Sequence, residues 1–335
     1  MKKIFAIALA VAAVAACNKA EVVESAPATA IAFDNAFVDN ATKAATDITK
    51  ANLNDFGVYG TVTNGTNAAL IFNNTEVTKS GDAAPYTYTY TPVQYWIEGA
   101  QYTFSAYAPF DKKQWAFTPT NASAHNGTLS FNNAAAEGEQ DLLFASVSRS
   151  ADTDNMDDPV SFTFSHLLSK VVFKYKNGFT DNNIKLNVYD VKINNAAEKG
   201  TVTVTGGVTG EWDGTGNYVR SFGAATPDAT AALVNGASVT TEHFYLIPVE
   251  REYNITFKVG LYQAGVLLDT YEHDIDATID IKKGKSYSFN ADLTFENVNP
   301  ESQLCPIVFK VDKVDEWKSA TGVPDLDLDV NVDNN

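Results

Sequence analysis

The chain has 335 residues, 45% of them hydrophobic and 12% aromatic, which is material for about two packed domains of ~150 residues each and too apolar for a disordered protein. Its 24 basic residues against 41 acidic ones leave a formal charge of −17. Nucleic acid is excluded as a partner, because phosphate recognition concentrates Lys and Arg on one face, whereas this acidity suits a soluble, self-repelling protein outside the cell.

Lys2 and Lys3 precede thirteen uncharged residues, Ile4 to Ala16. That run is too short for a transmembrane helix, which needs roughly 20 apolar residues, and it fits the apolar region of a signal peptide over residues 1–16. Val14-Ala15-Ala16-Cys17 resembles a bacterial lipobox, so Cys17 is expected to become the lipidated first residue of the mature chain. Cys305 then has no disulfide partner and is expected as a small buried hydrophobe.

Residues 17–50 read as a leader with one strand-like piece, Ala30-Ile31-Ala32-Phe33, followed by a soft stretch holding Lys43 and Lys50. From Phe56 onward the period is 2. Tyr86, Tyr88 and Tyr90 share one strand face. Further alternating runs are Tyr102 to Ala106, Val171 to Tyr175, Ile184 to Ile193, Thr201 to Thr205, Phe244 to Val249, Ile255 to Val259, Val266 to Tyr271 and Ser286 to Leu293. Turns are expected at Asn64-Gly65, Asn126-Gly127, Asn177-Gly178, Gly206-Gly207 and Lys283-Gly284. Asp228 to Val234 is the best helical candidate. Many short strands with Gly- and Asn-rich turns predict an all-β chain of two tandem β-sandwiches, 51–157 and 158–320, divided at the acidic run Asp152 to Asp158.

The C-terminal tail, 321–335, contains Pro324-Asp325-Leu326-Asp327-Leu328-Asp329-Val330-Asn331-Val332. Leu326, Leu328, Val330 and Val332 form one face and acids the other. Burying four such side chains contributes roughly 6–12 kcal/mol, while ordering about seven residues costs about 1–2 kcal/mol each. Such a strand needs a sheet edge as well as a pocket. It either adds to a neighbour's sheet or closes its own domain.

Catalytic and metal motifs are missing. His125, His166, His243 and His273 are scattered, with no metal-ligand spacing, and His166 reads as a half-buried strand residue beside Phe164. Glu272-His273-Asp274 alternates along a strand, so its members do not face one site. The 152–158 run has Met156 and Asp157 where a calcium loop needs a ligand and Gly. No nucleophile elbow or phosphate loop occurs, and Lys282-Lys283-Gly284-Lys285 reads as a solvated hairpin turn. No enzyme activity and no cofactor are expected.

Several segments in order resemble the fimbrillin-like lipoproteins of the Bacteroidales, the type V pilin superfamily. They are Tyr95-Trp96-Ile97-Glu98-Gly99 through Tyr107-Ala108-Pro109, Phe162 to Phe173, Phe244 to Val249, Gly284-Lys285-Ser286-Tyr287, and Ile307 to Trp317. The resemblance implies two transthyretin-like or Ig-like sandwiches in tandem, exported on a lipid to the outer-membrane surface and assembled with other pilin subunits into a pilus (fimbrium). It also implies a surface trypsin-like protease that removes the lipidated leader with the first strand, opening a groove for a neighbour's strand. In that family the cut usually follows Arg. Here the first Arg is Arg149, which leaves Lys43, then Lys50, as candidates. The rival reading is a monomeric glycan-binding outer-membrane surface lipoprotein. It rests on the Tyr86, Tyr88, Tyr90 row as a sugar-stacking platform, whose alternative is one wall of a sandwich core.

Overall fold

Alternating apolar residues bury one face of a strand and leave the other in water, and the chain uses this device from end to end. The computed structural model describes residues 28–38, 48, 53–81, 86–110, 114–133, 141–226, 232–301 and 305–316. Among the described residues every element is a strand: β1 (Phe33–Val38), β2 (Asp55–Asn64), β3 (Asn67–Ser80), β4 (Thr87–Thr89), β5 (Gln101–Ala108), β6 (Trp115–Thr120), β7 (Ser123–Asn132), β8 (Leu143–Ser150), β9 (Val160–His166), β10 (Ser169–Asn177), β11 (Ile184–Ala196), β12 (Lys199–Thr205), β13 (Val208–Thr215), β14 (Tyr218–Gly223), β15 (Ser238–Thr240), β16 (Phe244–Leu246), β17 (Glu250–Gln263), β18 (Val266–Asp280), β19 (Lys285–Leu293) and β20 (Lys310–Glu316).

The first unit closes in the order β1-β4-β3-β2-β5-β8-β9, with β1 and β9 completing the ring. Its interior is aromatic: Phe33, Phe56, Phe72, Tyr102, Phe104, Phe162 and Phe164 are buried together. Gly60 on β2 is required there, because a Cβ would stand 2.7 Å from the ring of Phe72 and 2.9 Å from that of Phe104. The second unit is a sandwich of one sheet built on β15-β10-β19-β20, with β16 also on β10, and another ordered β14-β11-β17-β18. Between these sheets lies a separate core containing Phe173, Tyr175, Leu186, Val188, Phe257 and Phe289.

A third sheet, β13-β12-β7-β6, is assembled from both halves of the chain. β7 pairs with β12 from Asn132↔Lys199 to Gly127↔Val204. Beneath it Trp115, Phe117, Leu129, Phe131 and Trp212 pack on Tyr59, Tyr107 and Phe144 of the ring and on Tyr245 and Ile247 of the sandwich. Trp212 Nε1 donates to the Leu167 carbonyl at 2.7 Å, and the Tyr59 hydroxyl to the Phe117 carbonyl at 2.8 Å.

The tandem all-β architecture is as expected, but several details differ. β9 pairs with β1 and β8, so the run 152–158 is a loop within the first unit, with Met156 packed on its core, and the chain leaves that unit after His166 rather than at 158. Asn126-Gly127 lies inside β7 and is not a turn; Gly127 is there because a Cβ would meet the Phe117 ring at 2.7 Å. Of the helical candidate, 228–231 lie outside the described residues. Leu233 is extended and exchanges two main-chain bonds with Leu186, at 2.6 and 3.0 Å. Cys305 is exposed, because the alternation that buries Ile307 and Phe309 begins only after it. Lys282 to Lys285 is a crossing between sheets. Lys283 Nζ donates to the carbonyls of Thr209 and Gly210, both at 2.7 Å, so it ties the second unit to the β12–β13 hairpin instead of standing in solvent.

Trp212 therefore anchors the layer that joins the two units. Trp212→Ala should cost about 3–5 kcal/mol, and urea unfolding followed by far-UV and near-UV circular dichroism should separate into two transitions where the parent chain shows one.

Candidate functional site

The leader piece Ala30 to Phe33 lies at the closure of the first ring. Ala30 bridges Tyr95; Ile31 N–H donates to the Gln94 carbonyl at 2.8 Å, and Trp96 N–H to the Thr29 carbonyl at 3.0 Å. From there β1 runs parallel to β9, in the register Phe33↔Val160, Asp34↔Ser161, Phe37↔Thr163 and Val38↔Phe164, with a bulge between Asp34 and Phe37. It touches β4 antiparallel at Asp34↔Thr87. β8 reaches β9 only at Leu143↔His166 and Phe144↔Ser165. Most of β9 is therefore held by the leader.

Side chains complete the seat. Ile31 is 1% exposed and Phe33 2%. Phe33 meets Phe56, Phe72, Tyr90 and Phe104 edge-on, at centroid distances of 6.3, 5.5, 5.4 and 6.0 Å, and lies flat on Phe162 at 5.8 Å. Edge-to-face and offset contacts of this kind add about 0.5–1.5 kcal/mol each beyond area burial. The Tyr90 hydroxyl donates to the Ile31 carbonyl at 2.5 Å, and Ser161 Oγ to Asp34 Oδ1 at 3.0 Å.

Tyr88 is 7% exposed, and Tyr86 and Tyr90 pack on the same core, so the tyrosine row is a wall of the ring and not a platform for sugars. Burial pushes the Tyr88, Tyr90 and Tyr102 phenols above the ordinary 10.0; at Tyr88 the Tyr86 and Asp34 charges add to it.

The remaining chemistry is structural. His166 on β9 is fully buried rather than half-buried, its Nδ1 2.7 Å from Oδ2 of the equally buried Asp141. His273 is buried and stacks on Phe257 at 4.8 Å, which holds its pKa below 6.5 through loss of solvent, while Glu272 and Asp274 point to the opposite, exposed face. No group of His, Cys, Asp and Glu able to hold a metal ion occurs among the described residues. Cys17, Lys43, Lys50 and the tail residues Leu326, Leu328, Val330 and Val332 lie outside the described residues.

The model of the fimbrillin-like family matches residues 42–304, more than half of the chain. The chain belongs to the fimbrillin-like family. Residues 1–18 match the prokaryotic membrane lipoprotein lipid attachment site. Among solved structures, this fimbrillin-like fold is similar to a fimbrial protein from Bacteroides vulgatus, at 14% identity and a TM-score of 0.60, covering 86% of this chain and 99% of that one. It also resembles candidate cell adhesion proteins from Bacteroides ovatus (16% identity, TM-score 0.53, 88% and 100% covered) and Bacteroides uniformis (18%, 0.51, 86% and 98%). No curated protein sequence matches the chain. At these identities the likeness establishes the fold.

Two measurements check the seat of β1. Phe33→Ala should destabilise the chain by about 3–5 kcal/mol in urea titration, because five surrounding rings cannot collapse onto the void. The folded state also holds the protons of its buried tyrosines above the unfolded value of 10.0. That contribution is complete below about pH 10 and lost as pH rises past it. Melting temperature should fall with pH above that point, and a Tyr88→Phe variant should fall less.

Proposed function

We propose that the chain is a structural or accessory subunit of a cell-surface pilus, made as an outer-membrane lipoprotein precursor acylated on Cys17 and activated by proteolysis. A trypsin-like protease cuts after Lys43, or after Lys50. The lipidated leader then departs with β1, and the slot between β4 and β9 takes a strand from a neighbouring subunit. Donor-strand complementation in pilins is the general instance of this recognition mode.

One observation carries the reading: the strand that closes the first ring comes from the leader, and the two candidate lysines lie between it and β2. Removing β1 would free the backbone of Val160 to Phe164 and uncover the ring of Phe162. The tail supplies the complementary part: Leu326, Leu328, Val330 and Val332 have the alternation of a donated strand, with acids outside that keep tails from pairing with one another.

Until the cut, lipid on Cys17 holds the precursor on the membrane. Two anchoring signals already suffice for stable attachment, and the lipobox implies three acyl chains.

Trypsin added to the purified precursor should give one limited cut, a new N-terminus at Ala44, and concentration-dependent ladders on unheated gels. Deleting Val323 to Asn335 should abolish the ladders and spare the cut. Recovering only acylated Cys17 from the cell surface would overturn the processing step. Ladders unchanged by the deletion would overturn the tail as donor.

A further inference from the structure

We infer that the slot under β1 selects a strand carrying an aromatic side chain at the position of Phe33 and a branched aliphatic one two residues before it, so that a strand of that pattern on a different polypeptide outcompetes this chain's own tail, which fills the slot only weakly. The inference rests on the strand-exchange reading above and names the partner chemistry of that site.

β1 is the only strand known to fit the slot, and it shows what the slot measures. Phe33, and Ile31 just before the strand, are two residues apart and each at least 98% buried. The Phe33 pocket has five aromatic walls, at centroid distances of 5.4 to 6.3 Å. These walls cannot close on a smaller guest. Phe72 and Phe104 already rest against Gly60, where even a Cβ would be 2.7 and 2.9 Å from them, and Phe56 and Phe162 are each backed by a further ring, Tyr88 and Phe164. A leucine in this pocket leaves a void, and close-packed interiors do not tolerate one cheaply.

The tail offers Leu326, Leu328, Val330 and Val332, and Trp317 is the last aromatic residue in the chain. Whatever register the tail takes, it brings no ring to the Phe33 pocket. It suits a slot of aliphatic walls on another subunit, whereas this slot suits a strand of the pattern aliphatic-x-aromatic.

The test uses the full chain with a specific protease site inserted between Ala41 and Ala45, nicked so that β1 stays seated but exchangeable. Seven labelled peptides compete for the slot: residues 28–38, the same with Phe33→Leu, residues 323–335, and four tails with Phe placed in turn at Leu326, Leu328, Val330 and Val332. The expected order is the leader peptide tightest, its Phe33→Leu form about tenfold weaker, the native tail weaker still, and at least one Phe-bearing tail about tenfold tighter than the native tail. A native tail that binds as tightly as the leader peptide, with no gain from any added Phe, overturns the inference and leaves strand exchange standing. If not even the leader peptide exchanges, the strand-exchange reading falls, and this inference with it.

Discussion

The first unit depends on the seating of Phe33. Its ring fills the middle of the aromatic interior and touches residues from β2, β3, β5 and β9 and from the segment just after β4. The main chain around it is a lesser tie. Parallel pairing is slightly the weaker kind, the ladder with β9 is interrupted by a bulge, and β4 contributes a single paired position. Phe33, and Ile31 just before β1, are almost wholly buried at this seat. The main chain of β1 is therefore tied more lightly than that of a strand in the middle of a regular sheet.

The two units, by contrast, are not separable in this way. β12 and β13 come from the second half of the sequence and complete a sheet begun by β6 and β7, so a continuous ladder crosses the join. Trp212 donates across it to Leu167, Lys283 binds back to the start of β13, and the buried Asp141–His166 pair sits where β9 leads into β10. Buried polar groups without partners are costly, and these make the join specific as well as apolar. The light pairing of β1 and the cohesion of the join thus lie in different parts of the molecule.

Much of this was legible in the sequence. Period-2 runs located most strands, and the strand-like character of Ala30 to Phe33 was visible in isolation. What was not legible shares one cause: strand pairing between distant residues leaves no local pattern. Nothing near Phe33 announces Val160 as its partner, and nothing near Lys199 announces Asn132. The acidic run 152–158 has the composition of an interdomain linker, yet a loop between two neighbouring strands needs the same polar residues. Asn126-Gly127 has the letters of a turn, but Gly127 is there to admit the Phe117 ring. Tyr86, Tyr88 and Tyr90 carry the same alternation whether their rings face water or a core, and only the closure of the ring decides that they face inward.

The distribution of charge on strand edges bears on whether β4 and β9 ever meet water. β18 is a long edge strand, and Asp269, Glu272, Asp274, Asp276 and Asp280 stand exposed along it, which is how natural sheets keep their edges from pairing with other chains. The edge strand β6 carries Pro119, which has no N–H to offer. β9 has neither protection. Its outward residues are Ser161, Thr163 and Ser165, and those of β4 are Thr87 and Thr89, all uncharged. An edge left open for any length of time would be expected to carry a charge, a proline or a bulge of its own. β9 carries none of the three, so from Val160 to Phe164 it depends on β1 for its cover.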